Sequence, residues 1–134
     1  MGIRWRKSLV VGIDDIDSQH RQLFVHIGEL LDASLSGEGL KAVNKTVIFL
    51  EDYIHSHFAT EENYMQRFDY PGYAEHKFAH DKFIKKFKTL KEALLKNENS
   101  SIVVIDTEQL LGNWWLNHIR SEDKVLGKFL AEKL

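Results

Sequence analysis

Histidines are the residues in this 134-residue chain whose types and spacing are best suited to chemistry, and there are seven of them. His76 and His80 are four residues apart, as are His57 and Glu61. Side chains at this spacing lie one turn apart on the same face of a helix, so they can reach the same metal ion. The chain has no cysteine. A metal site must therefore use nitrogen and oxygen ligands, and disulfide frameworks, zinc fingers, iron–sulfur clusters and thiol nucleophiles are excluded.

Apolar periodicity indicates long helices that would position these side chains. Four helices are predicted, over 18–36, 39–68, 73–96 and 102–120. Asp17 is the expected N-cap of the first, and residues 1–16 are expected to form an ordered arm that packs on the core. Because the connections between the helices are short, we expect an all-α fold, an up-down-up-down four-helix bundle with an N-terminal arm and a short C-terminal helix. We expect residues 1–134 to form a single domain.

Polar residues interrupt the apolar stripes of the second and third helices. They are His57, Glu61, His76 and His80. His20 and His118 fall on the inner faces of the first and fourth helices, so each helix directs at least one histidine inward. Buried imidazoles need partners and an unpaired buried carboxylate is costly, so the set favours a metal site over independent core histidines. His26 and His55 are expected on solvated faces and have no predicted role.

Asp123 follows His118 by five residues, which is about 140° away from the His118 face of a straight helix. If Asp123 is to point inward, the helix must break or unwind. We predict such a break near Arg120–Glu122.

Five inward histidines and two carboxylates are too many ligands for one ion and suit a pair of first-row metal ions. Suppose that Glu61 and Asp123 each give one oxygen to each ion, and that one oxide or hydroxide also bridges the pair. An ion with three histidines then has six ligands, and an ion with two histidines has five. The second ion keeps an open position for a small external ligand.

The motifs together resemble those of the hemerythrins, specifically the single-domain bacterial ones, over about residues 5–123. The motifs are Val11-Gly12-Ile13…Ile16-Asp17…Gln19-His20, His57-Phe58-x-x-Glu61-Glu62, His76-x-x-x-His80 and His118-Ile119-x-x-x-Asp123. The resemblance implies a four-helix bundle that binds dioxygen reversibly at two iron ions, bridged by an oxide or hydroxide. It also implies that His76, His80 and His118 hold the saturated iron, that His20 and His57 hold the open one, and that Glu61 and Asp123 bridge them.

An apolar lining around the bound oxygen is expected, although core packing alone would also explain the same side chains. They are Trp114, Trp115, Phe24, Ile54, Phe58, Phe83 and Ile119. We expect an oxygen carrier, store or delivery protein and not an enzyme. The sequence leaves open an oxygen or redox sensor acting through a separate partner, and a di-iron enzyme such as a peroxidase or nitric oxide reductase.

The composition limits the classes of partner that the protein can bind. There are 18 Lys and Arg and 20 Asp and Glu, a net charge of −2, which gives no field for nucleic acid or an anionic membrane surface. The apolar run Leu9–Ile13 is too short for a signal peptide or a membrane span, so we expect a cytoplasmic protein. We expect a monomer with dioxygen as its ligand, and oxygen delivery would involve an oxygen-consuming partner enzyme.

Overall fold

The computed structural model describes residues 5–35, 40–96 and 109–134, and in these ranges it contains helices and no strand. Its main helical segments are α1 (Asp14–Leu35), α2 (Leu40–Arg67), α3 (Tyr73–Leu95) and α4 (109–131). The four-helix bundle predicted from the sequence is confirmed. The bounds predicted for the second and third helices agree with α2 and α3 to within one residue. The predicted loop over 97–101, the predicted start of the fourth helix at 102 and the end of the first at 36 lie outside the described residues.

Helix α1 starts earlier than predicted, and Asp17 has a different structural role from the predicted one. Helix α1 begins at Asp14, so Asp17 is inside its first turn and is not its N-cap. The buried Asp17 carboxylate instead accepts hydrogen bonds from the backbone N–H groups of Val11 (2.8 Å) and Gly12 (3.1 Å). Gly12 has a φ of 93°, a left-handed conformation that favours glycine. The carboxylate therefore fixes the turn by which the arm enters the helix.

The arm packs on the bundle as predicted over residues 5–13, whereas residues 14–16 belong to α1 and residues 1–4 lie outside the described residues. The arm contains a short 3₁₀ turn, Lys7–Leu9, and its side chains of Leu9, Val11 and Ile13 are buried in the core. Trp5 is partly buried against the same core and lies under the guanidinium of Arg21. The arm thus contributes apolar surface to the core.

Helix α4 contains two wider, π-helical turns. A π-helical turn, Gln109–Asn113, precedes a regular turn, Trp114–His118, and a second π-helical turn, Ile119–Asp123, precedes the α-helix Lys124–Ala131. In the second π turn the N–H of Lys124 donates to the carbonyl of Ile119, five residues earlier. This wider turn makes positions five apart neighbours along one face. The predicted local unwinding between His118 and Asp123 is confirmed.

Among residues 5–35, 40–96 and 109–134, no helix is both long enough and apolar enough to cross a membrane.

Candidate metal centre

The seven predicted ligands come together inside the bundle. They are His20 from α1, His57 and Glu61 from α2, His76 and His80 from α3, and His118 and Asp123 from α4. Each is between 0% and 3% exposed. Their potential ligand atoms form two groups, and within each group all atoms lie within 4.8 Å of one another. Glu61 and Asp123 belong to both groups.

Glu61 faces the two groups with different oxygen atoms. Its Oε1 lies 3.3 Å from His76 Nε2 and 3.0 Å from His80 Nε2. Its Oε2 lies 3.2 Å from His57 Nε2 and 3.5 Å from His20 Nε2. One carboxylate therefore touches histidines of both groups, one oxygen to each.

The two carboxylate oxygens of Asp123 also face different histidine groups. Its Oδ1 lies 3.0 Å from His76 Nε2 and 3.1 Å from His118 Nε2, and its Oδ2 lies 3.1 Å from His20 Nε2. We name the group around His76, His80 and His118 the three-histidine position. The group around His20 and His57 is the two-histidine position.

These inward atoms are close together but do not hydrogen-bond. The Nε2 atoms of all five histidines and the four carboxylate oxygens are buried without a hydrogen-bond partner among the described residues. Buried polar atoms without partners are costly, and here they are clustered. Imidazole nitrogen and carboxylate oxygen are donors that first-row transition metals accept. The donor set therefore fits a pair of metal ions.

Comparison with known proteins agrees with this geometry. The family model described as the hemerythrin HHE cation binding domain matches residues 11–130. The chain belongs to the hemerythrin family. The resemblance predicted from the motifs is thus confirmed.

Individual hemerythrins show how far the similarity extends. The bacteriohemerythrin of Stenotrophomonas maltophilia (strain R551-3) is 35% identical over 120 residues, covering 90% of this chain and 76% of that protein. The bacteriohemerythrin of Methylococcus capsulatus (strain Bath) is 32% identical over 115 residues, covering 86% of each chain. A crystal structure of wild-type hemerythrin has a TM-score of 0.83 and 26% identity, covering 96% of this chain and 97% of that one.

The electrostatics of the hemerythrin site follow from burial and from the shared carboxylates. Burial lowers the pKa of His20, but contacts with Asp123 and Glu61 outweigh burial and raise it to about 9. The same balance raises the pKa of His76 to about 9. Burial would raise the pKa of Glu61, yet His57 and its neighbours hold it well below its usual range. In the metal-free site the buried carboxylates are therefore balanced by protons on neighbouring imidazoles, and a bound metal ion would displace those protons.

The pKa values of His118 and His57 are shifted in opposite directions. Burial opposes protonation of His118, but the charge of Asp123 raises its pKa to about 10. Burial lowers the pKa of His57, whose Nε2 contacts one carboxylate among the described ion pairs, that of Glu61. Burial would likewise raise the pKa of Asp123, but His118 and His20 lower it.

Two side chains outside this cluster contact the Nδ1 atoms of two of its histidines, and the residue pattern predicted no role for either. The Nδ1 of His57 lies 2.7 Å from Gln19 Oε1, and the Nδ1 of His80 lies 2.9 Å from Glu62 Oε2. Gln19 and Glu62 are adjacent to ligands in the sequence, but the contacts cross between helices, so helical spacing alone does not reveal them. The hydrogen bond to His80 lowers the pKa of Glu62.

Glu122 is a further carboxylate on the outside of the cluster. Its Oε2 lies 3.4 Å from the Nδ1 of His118, without a hydrogen bond between them. It follows His118 by four residues, so helical spacing could have indicated this neighbour.

Aromatic rings surround the cluster. Phe58 stacks on His80 with ring centroids 3.8 Å apart, and Trp114 stacks on His118 at 4.5 Å. Trp115 is fully buried, with its ring 5.8 Å from that of His57. Of the other predicted pocket residues, Phe83 packs against Trp114 and Trp115, and Phe24, Ile54 and Ile119 are buried in the core.

The histidines predicted to point outward behave differently from each other. His55 is exposed. His26 is only 16% exposed in its side chain and packs its ring against Phe49 (4.6 Å) and Tyr53 (5.0 Å), so its predicted place on a solvated face is wrong. The reason is that α1 packs beside α2, and aromatic side chains of α2 cover the His26 ring. Neither histidine belongs to the ligand cluster described above.

Proposed function

We propose that this hemerythrin-family chain holds two iron ions and binds dioxygen reversibly. His76, His80 and His118 would hold one ion at the three-histidine position. His20 and His57 would hold the other at the two-histidine position, and Glu61 and Asp123 would bridge both. Residues 1–134 would form the single domain that carries this site.

The observation that carries the proposal is the division of the carboxylate oxygens. Glu61 directs Oε1 to one histidine group and Oε2 to the other, and Asp123 divides Oδ1 and Oδ2 in the same sense. A carboxylate placed in this way suits a bridge between two ions. With one more bridging oxygen, an ion at the three-histidine position would have six ligands and an ion at the two-histidine position would have five. The second ion would therefore have room for an external ligand.

The bound iron pair would supply the electrons and the open coordination position that dioxygen requires. The chain itself supplies a dry pocket, since Trp115 and Phe58 are buried beside the histidines and exclude water. Once metal ions have displaced the histidine protons, the inner ligands would be five neutral imidazoles and two carboxylates, and this set donates less negative charge than a carboxylate-rich set. That composition favours binding over oxygen activation, and hence a carrier, storage or delivery role over an enzyme.

Metal analysis combined with optical spectra tests the proposal. The protein loaded with iron should contain about two ions per chain. It should be colourless when reduced without air, coloured in air, and colourless again when oxygen is removed. One ion per chain, or a spectrum that does not change with oxygen, would contradict it. Turnover assays with peroxide and with nitric oxide on the same sample would reveal an enzyme instead.

A further inference from the structure

The two metal positions differ in the groups that lie behind their histidines. At the three-histidine position carboxylates lie behind two of the three histidines, with Glu62 hydrogen-bonded to His80 at 2.9 Å and Glu122 3.4 Å from His118. At the two-histidine position the corresponding group behind His57 is the amide of Gln19, at 2.7 Å. The Nδ1 of His20 has no hydrogen-bond partner in the part of the chain that the structure describes. One position is thus supported by anions and the other by a neutral group.

The orientation of the Gln19 amide follows from its own neighbours. Its Nε2 donates to the Thr60 hydroxyl oxygen at 3.1 Å, and that hydroxyl donates to the carbonyl of Ser56 at 3.1 Å. Since the Thr60 proton is already used, Thr60 accepts from Gln19 and the amide oxygen is the atom that faces His57. The His57 Nδ1 must then carry the proton, which leaves the Nε2 lone pair for the cluster.

Glu62 fixes His80 in the same tautomer with a stronger acceptor. A carboxylate can only accept, so the His80 Nδ1 carries the proton and its Nε2 lone pair points into the cluster. Lys77 Nζ lies 3.6 Å from Glu62 Oε1 and helps to orient the carboxylate, which is 21% exposed. A carboxylate behind an imidazole N–H makes the ring a stronger donor to a metal than a neutral amide does.

We propose that Glu62 and Gln19 are positioning residues that give the two metal positions different affinities for a metal ion. Glu62 makes the three-histidine position the tighter one, which fills first, and Gln19 leaves the two-histidine position weaker and its ion more accepting of an external ligand. This inference rests on the proposed two-metal site and adds to it an order of binding and a difference in donor strength.

Stepwise binding of Co²⁺ to the metal-free protein tests the ranking without any oxygen chemistry. Calorimetry and visible absorption would follow the titration of the parent and of Glu62→Gln, Gln19→Glu and Asp52→Asn. The last is a matched control, because Asp52 is an exposed carboxylate on the same helix, α2, and the substitution removes the same charge. Unfolding midpoints of the metal-free variants would be recorded beside the titrations.

The parent should bind two ions in two steps of different affinity. Glu62→Gln should weaken the tighter step by about 10- to 100-fold and leave the other step in place. Gln19→Glu should strengthen the weaker step and reduce the difference in affinity between the two steps. This variant tests the inference even if Glu62→Gln fails to fold. Asp52→Asn should match the parent.

Two results would overturn the ranking. Glu62→Gln could weaken both steps equally, which is what a purely structural role predicts, or it could match Asp52→Asn. Two ions bound by the parent together with either result would contradict this inference alone. Fewer than two ions bound by the parent would contradict the proposed function itself.

Discussion

Gly127 lies directly against the main chain of Val11, so closely that a Cβ added at Gly127 would overlap the Val11 carbonyl oxygen. The backbone N–H of Val11 is in turn held by the Asp17 carboxylate at 2.8 Å. The N-terminal arm is therefore fixed between α1 and the last turns of α4. Those turns begin immediately after Asp123, so the contact also supports a proposed bridging ligand.

Gly127→Ala should destabilise the metal-free protein. Alanine is favoured over glycine inside a helix by about 1 kcal/mol, but here the overlap with Val11 must be relieved by moving backbone, at a cost of about 1–3 kcal/mol. Gly28→Ala in α1 is the matched control, because a Cβ there meets no atom within 4 Å. It should stabilise by about 0.5–1 kcal/mol. Urea denaturation measures both, and equal stabilisation by the two variants would show that the arm is not held as described.

Phe58→Ala should cost stability and disturb His80. Phe58 is 2% exposed and its ring lies 3.8 Å from that of His80, so truncation leaves a cavity beside the cluster. The expected loss is about 3–5 kcal/mol in the free energy of unfolding. Phe78→Ala, at a position 62% exposed, should change it by less than about 0.5 kcal/mol. Chemical denaturation of the metal-free variants would compare them, and similar losses would contradict the packing.

His80→Ala should lower the iron content, because it removes a proposed ligand and strands the buried carboxylate of Glu61. His55→Ala should keep full iron content and stability, since His55 is exposed. His26→Ala should also keep its iron but should lose some stability, because its ring packs on Phe49 and Tyr53. Metal analysis and thermal unfolding separate these outcomes. Loss of iron in His55→Ala as large as in His80→Ala would contradict the ligand assignment.

Trp115→Ala should still bind two irons but should lose its oxygenated form faster to the oxidised, inactive state. The indole is buried beside His57 and Phe58 and has no metal-binding lone pair, so its expected task is to exclude water and external reductants. Trp115→Phe, which keeps an aromatic ring, should decay at an intermediate rate. Timed spectra after exposure to air would measure this, and equal decay in all three proteins at full iron content would assign Trp115 to core packing alone.

Local periodicity was sufficient to predict most of the bundle and the inward faces of six of the seven clustered residues, all except Asp123. Helical geometry repeats along the chain, so a spacing of four residues places His76 beside His80 and His57 beside Glu61 without knowledge of the other helices. The five-residue step from His118 to Asp123 does not fit that repeat, so it predicted a break near Arg120–Glu122, where the structure has the π turn Ile119–Asp123. The start of α1 was misplaced because Asp17 has the residue type of an N-cap while its carboxylate serves the arm.

Contacts between helices were decided only by the tertiary structure. The sequence did not determine which oxygen of Glu61 faces which histidine, that Gln19 and Glu62 lie behind His57 and His80, or that aromatic rings of α2 cover His26. These depend on how far each helix is rotated and shifted against its neighbours, and that is set by the packing of whole faces rather than by the spacing within one helix. The residue types and their inward faces were therefore local properties. The division of the proposed ligands into two unequal groups, which the family resemblance also implied, depends on the assembled bundle.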